Sequence, residues 1–431
     1  MRKYIFLLAT FICASTIAQN IHTGYHSQAY ILQSSTNPAA MPSSNFVLGV
    51  PVITNLSTHV QFPVSLSEAL DKRQDDSLTI NIPSLISNFG GKDAFYVDAR
   101  FNLLHVGFKV GYDKNVFLYF GDELVGDFNI NFSGDIFDYL TRGNGHTLGQ
   151  KINFNKEHFD GTLYNSFYLG SAVDFNDQLK IGIRFKILTG IANLHTEKIN
   201  LAFQTSPDYY QTTLYSDVLV KTSGGGGDFN PIKNSGFAVD LGAIYQATDD
   251  LELSFAINDI GSIKWAEENN EFYTTDGENE YELKGLIQSS ADDDSDTENQ
   301  IDEIVDSLTA TMEINEISES YSTKLKSNLF IGAKYKLTET HSFSFLFHSK
   351  KHPNVSVNTF MAGYQLQLGD SFQLLTSYKN FSGISNVGAG FVLSPGPFQF
   401  HMILENTLLE VFDLKNFGMH MGLVLHFGRD D

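Results

Sequence analysis

The chain has 431 residues, with 50 Asp plus Glu against 28 Lys plus Arg and a formal net charge of -22. Such acidity excludes nucleic-acid binding, which needs basic surface, and reads as solvated loops. The one cysteine, Cys13, lies in the leader described next, so disulfides, thiolate chemistry and Cys-based metal sites are excluded from the mature chain.

Arg2 and Lys3, the apolar run Ile5 to Ala14 and the small-x-small site Thr16-Ile17-Ala18 predict a secretory signal peptide over residues 1–18, with Gln19 as the mature start. Ile12 stands before Cys13 where a lipoprotein signal needs a small residue, so lipidation is not expected. No later run supplies the roughly 18 apolar residues of a transmembrane helix. An exported chain of this length is then either a soluble multi-domain protein or a β-barrel, and no Pro/Ser-rich linker divides it. The 36 Phe, 19 Tyr and 35 Gly favour the barrel: aromatics suit interfacial girdles and a lipid face, and glycines suit a crowded lumen.

Residues 19–100 read as an N-terminal segment holding the first strand or strands, around Phe46 to Thr54, and a lumen plug. The stretch from Asn37 to Gly90 is the expected plug. Within it, Leu66 to Lys72 is helical and Ile82 to Phe89 is broken by Pro83, which makes Ser65 to Gly90 too irregular for strand pairing. Residues 101–428 read as the barrel. Asn102 to Tyr112 sets Leu104, Val106, Phe108, Val110 and Tyr112 against His105, Gly107, Lys109 and Gly111, turns at Asp113-Lys114-Asn115 and returns over Val116 to Phe120. A short helix is expected over Gly134 to Leu140. Thr162 to Asp174 and Leu179 to Leu188 flank Phe175-Asn176-Asp177-Gln178. In the second of these, Ile181, Ile183 and Phe185 share one phase and Lys180, Arg184 and Lys186 the other.

The rhythm continues through Phe237 to Gln246, Leu251 to Ile260, Asn328 to Leu337, His341 to Ser349, Val355 to Leu368, Phe372 to Lys379, Asn386 to Leu393 and Phe398 to Glu405. It ends at Phe417 to Phe427, where Met419, Met421, Leu423, Leu425 and Phe427 alternate with smaller or polar residues. With segments near Phe128 to Phe132, Ile199 to Gln204 and Leu214 to Thr222, the sum is about 14 strands, within 12–16. The fold expected is all-β: a transmembrane, antiparallel up-and-down barrel. Ile181, Ile183, Phe185, Met419, Met421, Leu423, Leu425 and Phe427 are its expected lipid-facing residues. The insertion 266–322 reads as a long acidic external loop carrying a helix from about Glu298 to Glu316. The tight turns at Asp113, Gly369 and Pro395 are expected to divide between the two sides of the membrane.

Chemistry is sparse. The chain has no Gly-x-Ser-x-Gly elbow and no His-Glu-x-x-His helix, so no enzyme activity and no cofactor are expected. Asp292, Asp294, Asp296 and Glu303 match acidic positions of a calcium loop, but Thr297 replaces its glycine and Asn299 its apolar anchor, which leaves a solvated acidic run and at most a weak cation site. His341, His348, His352, His420 and His426 fit a wet lumen or an interfacial belt better than a metal centre. Lys180, Arg184, Lys186, Lys334 and Lys336 form a lumen-facing basic stripe that either steers anions or pairs with acids such as Asp174, Asp240 and Glu252. Asp240 and Asp259 read as turn and lumen-packing devices, and Trp265 as an interfacial anchor.

Four runs carry a family resemblance: Ser34-Ser35-Thr36-Asn37-Pro38-Ala39 with Pro42; Val47 to Pro51; Leu179 to Gly190; and Ala238 to Ala243 leading to Asn258 to Trp265. In this order the chain resembles a family of Bacteroidota outer-membrane proteins known as domain of unknown function 5723. The resemblance implies a monomeric barrel shaped like the long-chain fatty-acid transporters, plugged by its N-terminal segment, and implies no reaction. The expectation is a non-enzymatic barrel of the bacterial outer membrane, in contact with its lipid: a plugged channel or passive uptake barrel for small molecules, apolar ones included. The alternative is an accessory subunit of an outer-membrane secretion or assembly complex, with envelope proteins as partners.

Overall fold

The computed structural model describes residues 22–27, 29–51, 53–72, 78–88, 95–131, 134–143, 145–155, 157–208, 211–224, 231–275, 279–283, 315–351, 356–381, 384–406 and 415–429. The signal peptide, most of the acidic insertion with its expected helix, the calcium-like run Asp292 to Glu303, and His352 lie outside the described residues.

Fourteen antiparallel strands close into one barrel. They are β1 (Ser44–Gly49 continuing as Asn55–Gln61), β2 (Phe95–Val110), β3 (Val116–Asn131), β4 (His158–Asp174), β5 (Leu179–Thr205), β6 (Thr212–Ser223 continuing as Ser235–Gln246) and β7 (Leu251–Trp265). The circuit continues with β8 (Tyr321–Lys324 continuing as Asn328–Lys336), β9 (His341–Lys351), β10 (Ser356–Leu368), β11 (Phe372–Phe381), β12 (Ile384–Leu393), β13 (Phe398–Leu404) and β14 (Asn416–Arg429). Each pairs with its sequence neighbour. Both halves of β1 lie between β2 and β14, which closes the ring. Closure removes the exposed edges that an open sheet of this size would present.

Ser44 pairs with Arg429, so the first and last strands begin and end at one rim, here called the lower. Connections 111–115, 175–178, 247–250, 337–340, 369–371 and 394–397 all fall at that rim. The turns at Asp113, Gly369 and Pro395 therefore share one side, contrary to the expected division: strand pairing in hairpins puts every second connection on the same rim, and the long connections took the other. At the upper rim the wall is extended. Lys151–Phe154 pairs with the end of β5, while Asn270–Thr274 and Asn279–Leu283 pair with β6. The described ends of the acidic insertion thus belong to the wall.

Alternation sorts the faces. Ile181, Phe185 and Phe427 are exposed, and Ile183, Met419, Met421, Leu423 and Leu425 are half-buried between outward neighbours, whereas Arg184, Lys186, His420, Val424 and His426 are buried. Large apolar side chains stay exposed on successive strands, among them Leu169, Ile187, Phe237, Phe255, Phe345 and Phe360. Among the described residues no helix is long and apolar enough to cross a membrane.

Trp265 corrects the simple parity reading. On β7, Phe255 points outward and Ala256 inward, but the register slips at Asn258–Asp259, where Asp259 adopts φ 63°. This bulge flips the phase, so Ile263 and Trp265 turn inward and are fully buried. The Trp265 indole N–H donates to Thr323 Oγ1 at 2.9 Å, and its ring stacks near Tyr321.

Candidate functional site in the lumen

Residues 22–41, upstream of β1, run through the lower and middle lumen. His22 and Thr23 offer their backbone N–H groups to Glu405 Oε1 at 3.1 and 3.2 Å, and the Thr23 hydroxyl donates to Glu405 Oε2 at 2.6 Å. Tyr25 stacks on Phe330 at 5.3 Å, and burial pushes its phenol up to about 12. A 3-10 turn, Ile31–Ser35, follows, with the Ile31 N–H on Gln399 Oε1 at 3.0 Å. The carbonyls of Ser34, Ser35 and Thr36 accept from Arg184 and Asn258. These contacts reach β5, β7, β8, β13 and the start of the following loop, so the segment touches the wall around most of its circumference.

Two glycines permit its approach. A Cβ on Gly182 would stand 2.2 Å from the Pro38 carbonyl group, and one on Gly242 would stand 2.2 Å from Asn37 Oδ1. Three of the four runs that carry the family resemblance thereby form one assembly: the Ser34 to Ala39 run lies on Gly182, Arg184, Gly242 and Asn258. The expected plug, Asn37 to Gly90, is displaced towards the N-terminus. From Ser44 its residues enter β1, and residues 65–72 and 78–88 lie past Gln61 at the upper rim as the helix Leu66–Ala69, a hairpin of Leu70–Lys72 with Leu78–Ile80, and the helix Ile82–Asn88. The acid Glu68 there pairs with Lys415 rather than with the basic stripe.

Above the segment the lumen is crossed by ion pairs. Asp240 and Asp259 are almost fully buried; Arg184 binds Asp240 at 2.5 Å, and Lys186 bridges Asp240 at 2.9 Å and Asp259 at 2.5 Å. Arg100 on β2 reaches Asp259 on β7 at 2.9 Å. Lys350 on β9 contacts Asp98 on β2 and lies 2.7 Å from Asp127 on β3. Lys326, between the two halves of β8, contacts Asp127 and lies 3.0 Å from Asp160 on β4. Opposite walls are therefore joined directly. Taking one member from a buried pair strands its partner in low dielectric and typically costs about 3–5 kcal/mol.

The basic residues singled out in the sequence divide into two environments. Arg184 and Lys186 belong to this cluster. Lys180 is 43% exposed and lies 3.4 Å from Asp174, Lys334 is buried and lines a lower cavity with Glu252, and Lys336 pairs with Glu339 in the 337–340 turn at 2.7 Å. Asp98 and Arg100 are missed from sequence because β2 begins seven residues before Asn102 and a second bulge, between Asn102 and Leu104, hides its inward phase; Asp127, Lys326 and Lys350 are missed because each lies just outside the strand bounds that alternation marks. Alternation of Asp98 with Arg100 was the available signal. Of the histidines, His348 meets His22, His341 meets Tyr364, His420 meets Ser57 and His426 meets Ser44. Among the described residues no three His, Cys, Asp or Glu side chains are arranged to hold a metal ion.

A cavity lies on either side of the segment. The upper, about 490 Å³, is lined by the cross-lumen ion pairs together with Thr162, Tyr164, His195 and residues 322–327. The lower, about 850 Å³, is lined by Ala29, Ser43, Glu252, Lys334 and the polar side chains of the lower turns. Tyr25, His22, Phe330, His348 and Asn328 stand between them.

Fold and site define a fourteen-stranded β-barrel whose lumen is occupied by its own N-terminal segment and by buried ion pairs. The chain belongs to the family of unknown function DUF5723, which matches residues 38–405. Among solved structures, the Ralstonia pickettii toluene transporter TbuX aligns at 9% identity over 96% of each chain with a TM-score of 0.44. A Pseudomonas aeruginosa FadL homologue aligns at 11% identity over 96% of this chain and 99% of its own, TM-score 0.47, and the Pseudomonas putida toluene transporter TodX at 10% over 90% of each chain, TM-score 0.41. No curated protein matches the chain.

Proposed function

We propose that this chain is a barrel of the bacterial outer membrane that admits small solutes past a segment, residues 22–41, which keeps it shut at rest. The observation that carries this reading is the position of that segment between a cavity lined by the cross-lumen ion pairs and one lined by the lower turns. The exposed apolar side chains on successive strands support a hydrocarbon surround, since soluble monomers rarely expose contiguous apolar surface of this extent. The signal-like leader supports export. The charged and polar lining of both cavities favours a polar solute over the apolar ones that the sequence alone suggested. Deleting residues 22–41 from the mature protein is expected to leave a heat-modifiable, folded barrel and to raise its single-channel conductance in planar bilayers many-fold. Unchanged conductance in that folded deletion would remove the reading.

The cross-lumen pairs of Lys350 and Lys326 favour a second reading, a filled barrel that serves as an accessory subunit of an envelope complex. Extraction from native membranes in mild detergent separates the two: a stable, stoichiometric set of partner proteins supports the accessory subunit, and a lone monomer supports uptake.

A further inference from the structure

We infer that the upper cavity is a binding site for a zwitterionic solute of short-peptide size, which opens the lumen by exchanging its own two charges for those of the cross-lumen ion pairs. The inference rests on the uptake reading for the direction of access, and its binding step is tested independently. The cavity volume of about 490 Å³ lies in the range of small-molecule sites. Its lining carries both signs: Arg100, Lys326 and Lys350 face Asp98, Asp127, Asp160 and Asp259, with the exposed Lys324 and Lys351 at its margin.

The ion pairs decide which ligand can enter. A neutral solute has nothing to offer either side of a pair that must separate. A lone anion could take Lys350 or Lys326 but would leave Asp98 and Asp127 buried without a counter-charge, and a lone cation would do the reverse to the lysines. Either outcome carries the penalty of an unpaired buried charge. A ligand with both an ammonium and a carboxylate replaces both partners at once. A second observation points the same way. Asp98 is 1% exposed, and its Oδ1 and the Arg100 Nε have no hydrogen-bond partner among the described residues, although they stand only 3.8 Å apart. Asp98 Oδ1 can accept from a ligand ammonium, and the Arg100 Nε–H can donate to a carboxylate, without giving up a hydrogen bond already made. Thr162, Tyr164, Ser322 and Thr323 supply neutral polar groups for the backbone between them.

The test uses the intact mature protein in detergent micelles and four probes: tri-alanine, N-acetyl-tri-alanine, tri-alanine amide and the doubly blocked peptide. Binding is read by calorimetry and by the fluorescence of Trp265, the only tryptophan, whose indole N–H rests on the cavity-lining Thr323. Free tri-alanine is expected to bind at least tenfold more tightly than either singly blocked peptide, and Lys350→Gln or Asp98→Asn to erase that preference in barrels that remain folded on unheated gels. Should the variants not fold, the blocked-peptide series on the unaltered protein decides alone. A blocked peptide that binds as tightly as the free one, or no saturable binding by any of the four, overturns the proposal. Unchanged conductance on deletion of residues 22–41 would overturn the uptake reading and leave this binding result standing.

Discussion

His22 Nε2 lies 2.8 Å from His348 Nδ1, so the N-terminal segment is fastened to β9 by a hydrogen bond between two imidazoles. One ring nitrogen must donate and the other accept, and the pair cannot survive protonation of both rings. Burial holds His22 well below its ordinary range, and the neighbouring His348 lowers it further; Lys379, His59 and His420 act in the same direction, while Glu405 takes the His22 backbone N–H.

The sign for pH follows. A released segment binds a proton on His22 near pH 6.5, and the docked one does so only at much lower pH, so the docked state binds fewer protons in between. Docking is therefore complete above about pH 6.5 and weakens by about 1.4 kcal/mol per unit as pH falls below it. Channel open probability in planar bilayers should rise steeply between pH 7 and pH 5, and His22→Gln, which keeps a neutral hydrogen-bonding side chain, should abolish the rise.

Gly182→Ala and Gly242→Ala place a methyl group against Pro38 and Asn37. Each is expected to loosen residues 22–41 without unfolding the barrel, because neither glycine occupies a positive-φ position. Limited proteolysis should cut the segment faster, and conductance should rise towards that of the deletion.

Ile183 and Arg184 are adjacent on β5 and face opposite ways, with Arg184 buried on Asp240. A spin label at Ile183 should be reached by lipid-soluble relaxants, and one at Arg184, packed inside the lumen, should not. Ile183→Arg should cost about 2–4 kcal/mol near mid-bilayer. Asp240→Asn, which leaves Arg184 without its carboxylate, should cost about 3–5 kcal/mol in denaturant unfolding.

The two rims differ in the length of their connections. Outer-membrane barrels keep long loops outside, so protease added to intact, capsule-free cells should cut within 266–322, and cysteines at Asp113, Gly369 and Pro395 should be labelled only after the outer membrane is opened.

Alternation made the wall legible. Through Ile181 to Lys186 and Met419 to Phe427 burial alternates residue by residue, because neither stretch contains a bulge. Trp265 and Asp98 were misplaced or missed because the slips at Asn258–Asp259 and Asn102–Leu104 invert the phase, and a bulge leaves no fixed mark in a single sequence. The lumen segment was placed too far downstream for a different reason. Irregularity in Ser65–Gly90 reflects life at a rim, whereas the residues that enter the lumen are set by partners as distant as Glu405 and Gln399, which no local pattern reports.

The circuit of strands also dictates an order of assembly. Every pairing among the fourteen strands but one joins neighbours in sequence, so hairpins can accumulate with small loop-closure cost, and the largest cost of uniting remote parts of the chain falls on the seam between β14 and the two halves of β1. A chain arrested before Asn416 would keep every other register and still present two raw edges of backbone N–H and C=O groups, a template for aggregation. The last strand made is thus the one that turns a sticky sheet into an inert cylinder.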